Sequence, residues 1–275
     1  MADDLITIRA ESDPCHLEVT DPLDSRISHA HSFSTRALVS IHGAVAAINS
    51  GATWIKGHPV RESWVDNRRV SNLQRWKFFW VVRRSSRPTL LVRKSKWNYY
   101  HWLIEGIPLA IRGISCYHDL LVLLDPMAPR YATDALEILG IETETGRGWV
   151  KPETLVLPVG GSEGPWPHPR DVGIIRAAFL GPELVRRKAT RSGLRLYISR
   201  KHSTRALADE PEVENRLKRE GFVVVYAEEL SFAEQIMLFK NASTVVANHG
   251  AGMTNLLFAP VGTRVIEIAS KHNPN

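Results

Sequence analysis

Apolar residues follow a short period in the first part of the chain and a longer one afterwards. Ala37-Leu38-Val39-Ser40-Ile41 and Ala44-Val45-Ala46-Ala47-Ile48 read as brief strands, the second closed by the turn residues Asn49-Ser50-Gly51. Phe78 to Val82 and Leu90 to Val92 read the same way, so the chain begins with a β-rich lead-in. From Tyr100 the period becomes helical: Leu103, Ile104, Ile107, Ile111 and Ile114 fall on one face, and Pro108 inside that pattern predicts a kink or break. Leu120 to Leu124 is a continuous apolar run ended by Asp125-Pro126, as expected of a strand buried on both faces. A helix from Tyr131 to Leu139, stopped by Gly140, and a strand from Thr154 to Leu157 then argue for a parallel sheet. The turn-rich stretch 158–169 predicts a loop near a domain boundary, followed by a helix from about Arg170 to Arg187.

The last third alternates more regularly. Strands are predicted at Leu194 to Ile198, Phe222 to Tyr226, Thr244 to Ala247 and Arg264 to Ile268. Between them lie helices at Pro211 to Arg219, from Ser231 to Asn241, and at Gly252 to Phe258. Ser231 with Glu234 three residues on has the form of a capping box. Four strands with three intervening helices predict a Rossmann-like doubly wound sheet. The expected division is an N-terminal domain over 1–170 and a C-terminal one over 171–275.

Composition narrows the class. The 275 residues are 44% hydrophobic and 23% charged, with a net charge of +6, as in a soluble globular protein with a mildly basic surface. Eleven Lys or Arg between Arg61 and Lys96 face only Glu62 and Asp66, with Trp64, Trp76, Phe78, Phe79 and Trp80 among them. That mixture suits peripheral contact with an anionic membrane surface, or a solvated basic face over buried aromatics. Nucleic-acid binding ranks below both, because it leaves the C-terminal third unexplained. No apolar run reaches the ~18 residues of a membrane helix. The acidic start Met1-Ala2-Asp3-Asp4 and two distant cysteines, Cys15 and Cys116, predict a cytoplasmic protein. There is no G-x-S-x-G elbow of a serine hydrolase.

Two stretches carry candidate chemistry. Asn98, His101, Glu105 and Arg112 share a helix face, giving a base, an acid and an amide beside an apolar stripe. Taken alone, such a stripe is more often an exposed His–Glu helix pair. The other candidate is the carboxyl edge of the C-terminal sheet, where α/β proteins bind ligands. Arg200, Lys201 and Arg205 follow one strand, Glu228 to Ser231 another, and Asn248-His249-Gly250-Ala251-Gly252 a third. Arginines beside a helix N-terminus suit a diphosphate, and the Glu228 to Ser231 loop suits a ribose or base.

These residues resemble glycosyltransferase family 61. The resemblance rests on Asn98-Tyr-Tyr-His101-Trp102 with Glu105 and Pro108, Tyr197-Ile-Ser-Arg200 with Arg205, and Glu212-Val213 with Gly221-Phe222. It continues through Leu230-Ser231 with Glu234-Gln235-Ile236 and Ala242, His249-Gly-Ala-Gly252 with Thr254-Asn255, Phe258 and Pro260, and Val265-Ile-Glu267. The resemblance implies an α/β, GT-B-like fold of two Rossmann-like domains, with a nucleotide-sugar donor on the C-terminal one and the acceptor on the N-terminal one. It implies an inverting, metal-independent transfer to a glycan or lipid-linked glycan, as in capsular or other surface polysaccharide biosynthesis. No cofactor is expected beyond the donor itself, taken to be UDP-linked. Donor-binding residues would be Arg200, Arg205, Ser231, Glu234, His249, Gly250, Ala251, Gly252 and Asn255, with Asn98 and Trp102 on the acceptor side. Either His101 or Glu105 would be the catalytic base. Family members continue with further helices after the Glu267 strand, so the C-terminal domain is expected to be shortened here. A catalytically silent nucleotide- or glycan-binding assembly protein with the same fold is the alternative.

Overall fold

The computed structural model describes residues 6–12, 15–20, 28–33, 36–56, 58–60, 82–92, 97–162, 167–185, 193–203 and 206–268. Arg205 and most of the basic 61–96 stretch lie outside them. The chain is a mixed α/β protein that divides into two compact units, Met1–Ile174 and Ile175–Asn275.

The first unit is built on a six-stranded sheet. Its order is β1 (Ile6–Ser12), β4 (Arg36–His42), β13 (Thr154–Val159), β9 (Thr89–Leu91), β10 (Leu121–Leu124) and β11 (Thr143–Thr145). β10 pairs in parallel on both sides and all four of its residues are buried, as its unbroken apolar run requires. The parallel neighbour reached through α3 (Arg130–Ile138) is β11, the polar Thr-Glu-Thr edge strand that its sequence conceals. The Thr154 strand instead pairs with β9 in parallel and with β4 antiparallel. A five-stranded sheet lies in the same unit, in the order β7 (His58–Val60), β6 (Thr53–Ile55), β5 (Ala44–Ala47), β12 (Trp149–Pro152) and β8 (Val82–Ser85). β2 (Cys15–Thr20) and β3 (Ser28–Phe33) form an antiparallel pair. Ile41, Leu91, Leu123 and Leu155 of the larger sheet share a core cluster with Ala44, Ala46 and Val150 of the smaller.

The helical stretch after β9 comes in three joined pieces: α1 (Tyr99–His101), a π-helical turn Trp102–Gly106 and α2 (Ile107–Ile114). Pro108 falls in the first turn of α2, where a missing N–H costs little. The turn before it is widened, with the Ile107 amide bonding to the Trp102 carbonyl five residues back. Pro108 therefore coincides with a wide turn in a run that continues. Gly106 leaves room for the Trp102 indole, which any Cβ there would strike.

Arg112 departs from the polar stripe assigned to it. It is buried and donates to the carbonyls of Gly160 at 2.8 Å, Val159 at 2.7 Å and Ala37 at 3.0 Å. Nearby, Arg36 pairs with Asp171 at 3.0 Å, and Asp171 accepts from the Ser162 amide and hydroxyl at 2.8 and 3.1 Å. These bonds tie β4, the end of β13 and the start of α4 (Pro169–Val185) together, and Arg112 joins α2 to the same strands. α4 breaks helical geometry at Gly181, where φ is 72°.

The second unit carries a four-stranded parallel sheet ordered β15 (Val223–Val225), β14 (Leu194–Ile198), β16 (Ala242–Asn248) and β17 (Arg264–Ile268). Val213 and Leu217 of α5 (Glu210–Arg219) pack on Tyr197 and Val246. A 3-10 segment, Ala251–Phe258, lies on the other face, where Gly252 approaches Ile198. Phe258 of that segment stacks edge-on with Phe232 of α6 (Phe232–Phe239) and with Phe179. The sheet is covered on both faces, and its strand order reverses between β14 and β16.

His168, wholly buried near Arg36, Arg112, Arg170 and Asp171, has its pKa lowered by burial first and by the three arginines, against the pull of Asp171. A lowered histidine keeps its stabilising contribution above the unfolded value of about 6.5, and loses it as pH falls. Urea unfolding is therefore expected to show stability declining from pH 7 to pH 5. His168→Asn should flatten that decline, and an unchanged slope in the variant would refute this origin.

Candidate functional site

β14, β15 and β16 run in parallel, so their carboxyl ends lie along one edge, with Ile198 level with Val225 and Ala247. That register brings the loop after β14 beside the turn after β16. The Arg200 guanidinium donates to the His249 carbonyl at 2.5 Å and to the Ser203 hydroxyl at 3.1 Å. Gly250 is what permits the approach, since a Cβ at this position would collide with the guanidinium. The imidazole Nδ1 of His249 lies 2.6 Å from Glu267 on the neighbouring strand end. Ala251 and Gly252 begin the next segment, which is 3-10 and not the α-helix expected. Amides at its start still lack partners within it, so the turn retains its donors.

Other residues assigned to the donor site bond to their own surroundings in the fold. Ser231 and Glu234 form the capping box of α6: the Ser231 amide and hydroxyl donate to the Glu234 carboxylate at 2.8 and 2.7 Å, and the Glu234 amide returns a 3.3 Å bond. Asn255 is fully buried and donates to Gln235 at 2.7 Å and to the Gly252 carbonyl at 3.3 Å. Its side chain braces the turn from within.

The loop after β14 rests on two carboxylates that no sequence motif marks. Glu210 and Glu214 are 2% and 4% exposed, one turn apart on the face of α5 that meets the sheet. Glu210 accepts from the Tyr197 hydroxyl at 2.7 Å, the Ser199 hydroxyl at 2.9 Å and the Arg200 amide at 3.1 Å through one oxygen. Its other oxygen accepts from the Leu207 amide at 2.8 Å, so one carboxylate closes both ends of the 200–207 loop. Glu214 lies 2.7 Å from the Ser199 hydroxyl and accepts from the Tyr226 hydroxyl at 2.9 Å. Burial raises the Glu210 pKa, but the bonds from Leu207, Tyr197, Arg200 and Ser199 outweigh it and hold the group below the usual carboxylate value. The signal was present in the alternation of Tyr197 with Ser199 and in Glu210, Val213, Glu214 and Leu217 at helical spacing. Two acidic residues on an apolar face need donors from the element they cover.

In the first unit, His101 Nδ1 lies 2.5 Å from Glu105. Glu105 is only 7% exposed whereas the histidine is 40% exposed, so the pair is not the exposed helix pair that its spacing alone favoured. The carboxylate sits in the π-helical turn and the imidazole emerges at the surface. A buried carboxylate accepting Nδ1–H fixes the ring and the tautomer that keeps basic character at Nε2. Asn98 caps α1, accepting from the Tyr100 amide at 3.0 Å. Trp102, expected on the acceptor side, is fully buried in the core beneath Gly106. Among the described residues, no three His, Cys, Asp or Glu side chains gather as metal ligands would.

The family model for glycosyltransferase 61 matches residues 99–266. The chain therefore belongs to glycosyltransferase family 61, and its general class is that of enzymes moving a sugar from a donor to a glycan acceptor. The match takes in His101, Glu105, Arg200 and His249, beginning one residue after Asn98 and ending one before Glu267. No curated protein matches the chain.

Glu210→Ala would strand the donors that its carboxylate satisfies. Hydrogen bonds to a charged group are worth about 1.5–3 kcal/mol each. Urea unfolding should thus show a loss of at least about 2 kcal/mol. Glu212→Ala, one position from the end of that first turn and exposed, should stay within about 0.5 kcal/mol of the parent.

Proposed function

We propose that this protein is an inverting, metal-independent glycosyltransferase that takes its sugar from a nucleotide donor, most simply a UDP-sugar. The observation that carries this reading is the Arg200 guanidinium held against the His249-Gly250 turn where the strand order reverses between β14 and β16. A guanidinium, an imidazole and amides without helical partners there match the charge of a diphosphate. The two units would take the donor and acceptor parts of a GT-B-like enzyme, the second unit holding the nucleotide.

In the first unit, His101 is the proposed general base, with Glu105 as the group that orients it and stabilises its protonated form. The base removes the acceptor hydroxyl proton, the oxygen bonds to the anomeric carbon, and the carbon–oxygen bond to the diphosphate breaks on the opposite face. The electron pair leaves with the nucleoside diphosphate, whose charge Arg200 and His249 offset. Asn98 shapes the surface near the base through its cap of α1. We further place the reaction in the cytoplasm, in surface polysaccharide assembly on glycan or lipid-linked acceptors. Contact of the basic 61–96 stretch with an anionic membrane belongs to the same proposal. No helix among the described residues is long and apolar enough to cross a membrane.

Calorimetric titration with UDP in EDTA tests the donor half: micromolar binding is expected, with loss in Arg200→Ala. Absence of binding by any nucleoside diphosphate to the folded chain would sink the reading. For the chemistry, His101→Ala should lower kcat by about 10²–10⁴ with diphosphate binding intact. Glu105→Gln should lower it less and shift the acid limb of the pH–rate profile. Turnover undiminished in His101→Ala would exclude it as the base.

A further inference from the structure

The loop after β14 sends side chains in two directions. Arg200 reaches toward β16, where it meets the His249 turn, while His202 reaches the other way, toward β15. The His202 imidazole lies 3.4 Å from Glu229 and its ring centroid is 5.4 Å from that of Tyr226, at 56°. His202, on the loop after β14, and Glu229, on the 3-10 turn Ala227–Glu229 opposite it, are both half-exposed at the edge. The cluster pairs two flat rings with a carboxylate acceptor.

We propose that His202, Tyr226 and Glu229 form the subsite for the nucleobase of the donor. This rests on the diphosphate reading of Arg200 and His249 and adds the far end of the same ligand. Neighbouring strands lie about 4.8 Å apart, so β15 is one to two strand spacings, about 5–10 Å, from the β14–β16 switch point. A ribose bridges that separation between a diphosphate and its base. Bases stack on aromatic and imidazole faces irrespective of their substituents, and a carboxylate beside the rings accepts from base N–H groups.

The subsite is fixed from beneath. Tyr226 is held through its hydroxyl by Glu214, Arg200 through its amide by Glu210, and the Ser199 hydroxyl lies between the two carboxylates. Base platform and phosphate arginine are therefore mounted on one buried bracket, which sets the span that a ligand must match.

Titration of the full chain with UDP, GDP and inorganic pyrophosphate separates the two ends of the site. His202→Ala, a surface change that leaves the bracket alone, should weaken the better-bound nucleoside diphosphate about tenfold and leave pyrophosphate within about twofold. Tyr226→Phe keeps the ring but releases it from Glu214, and should weaken the same nucleotide about threefold. Arg200→Ala should weaken nucleotide and pyrophosphate alike. Unchanged nucleotide affinity in both His202→Ala and Tyr226→Phe, with loss in Arg200→Ala, would overturn the base subsite and leave the diphosphate site standing. Equal losses of nucleotide and pyrophosphate in His202→Ala would assign His202 to the phosphates and also overturn it. Failure of the parent chain to bind any of the three would overturn both readings.

Discussion

Burying a carboxylate is costly unless donors replace the water it gives up, and Glu210 and Glu214 impose that condition on the whole C-terminal edge. Their donors come from β14, from the loop after it and from the end of β15. Satisfying two side chains of α5 thus determines where Tyr197, Ser199, Arg200, Leu207 and Tyr226 must stand. Arg200 can then reach the His249 carbonyl only because Gly250 has no side chain. Helix packing, loop closure and the position of a guanidinium are one constraint at this edge.

The first unit solves a similar problem with the opposite charge. Arg112 is buried and spends its donors on the carbonyls of Ala37 in β4, Val159 in β13 and Gly160 just after it, and Asp171 accepts from Ser162 while pairing with Arg36. These bonds anchor the helix that carries His101 and Glu105 at its far end, away from the pair. The proposed catalytic histidine is held by Glu105 in the π-helical turn, and the run beyond that turn is fixed by Arg112 several residues downstream.

Much of the fold was legible because period decides it. The unbroken apolar run of β10, the alternation of strands and helices after Leu194 and the Ser231–Glu234 cap all appear where their residues place them. β11 escaped because Thr-Glu-Thr on a sheet edge has no apolar pattern to show. Of the candidate site, the loops were legible, since glycine and arginine mark Arg200 and the His249 turn openly. Its supports were not: Glu210 and Glu214 read as ordinary helix surface until the sheet they face is known. Trp102, Arg112 and Asn255 have the opposite history, being polar or aromatic residues in a motif whose side chains turn inward. Sequence spacing names the face of a helix, but burial depends on what the rest of the chain lays against it.

The π-helical turn Trp102–Gly106 bears on how this part of the molecule accepts change. An extra residue in a helix rotates the downstream segment by about 100°, one residue's share of a 3.6-residue turn. The segments on either side of the turn consequently answer to different neighbours: α1 to α3, where Tyr99 meets Tyr131 edge-on, and α2 to the strands gripped by Arg112. Aim and anchorage are uncoupled along a single run of chain. Substitutions in α1 can accumulate on one side of the turn without disturbing the packing of α2 on the other.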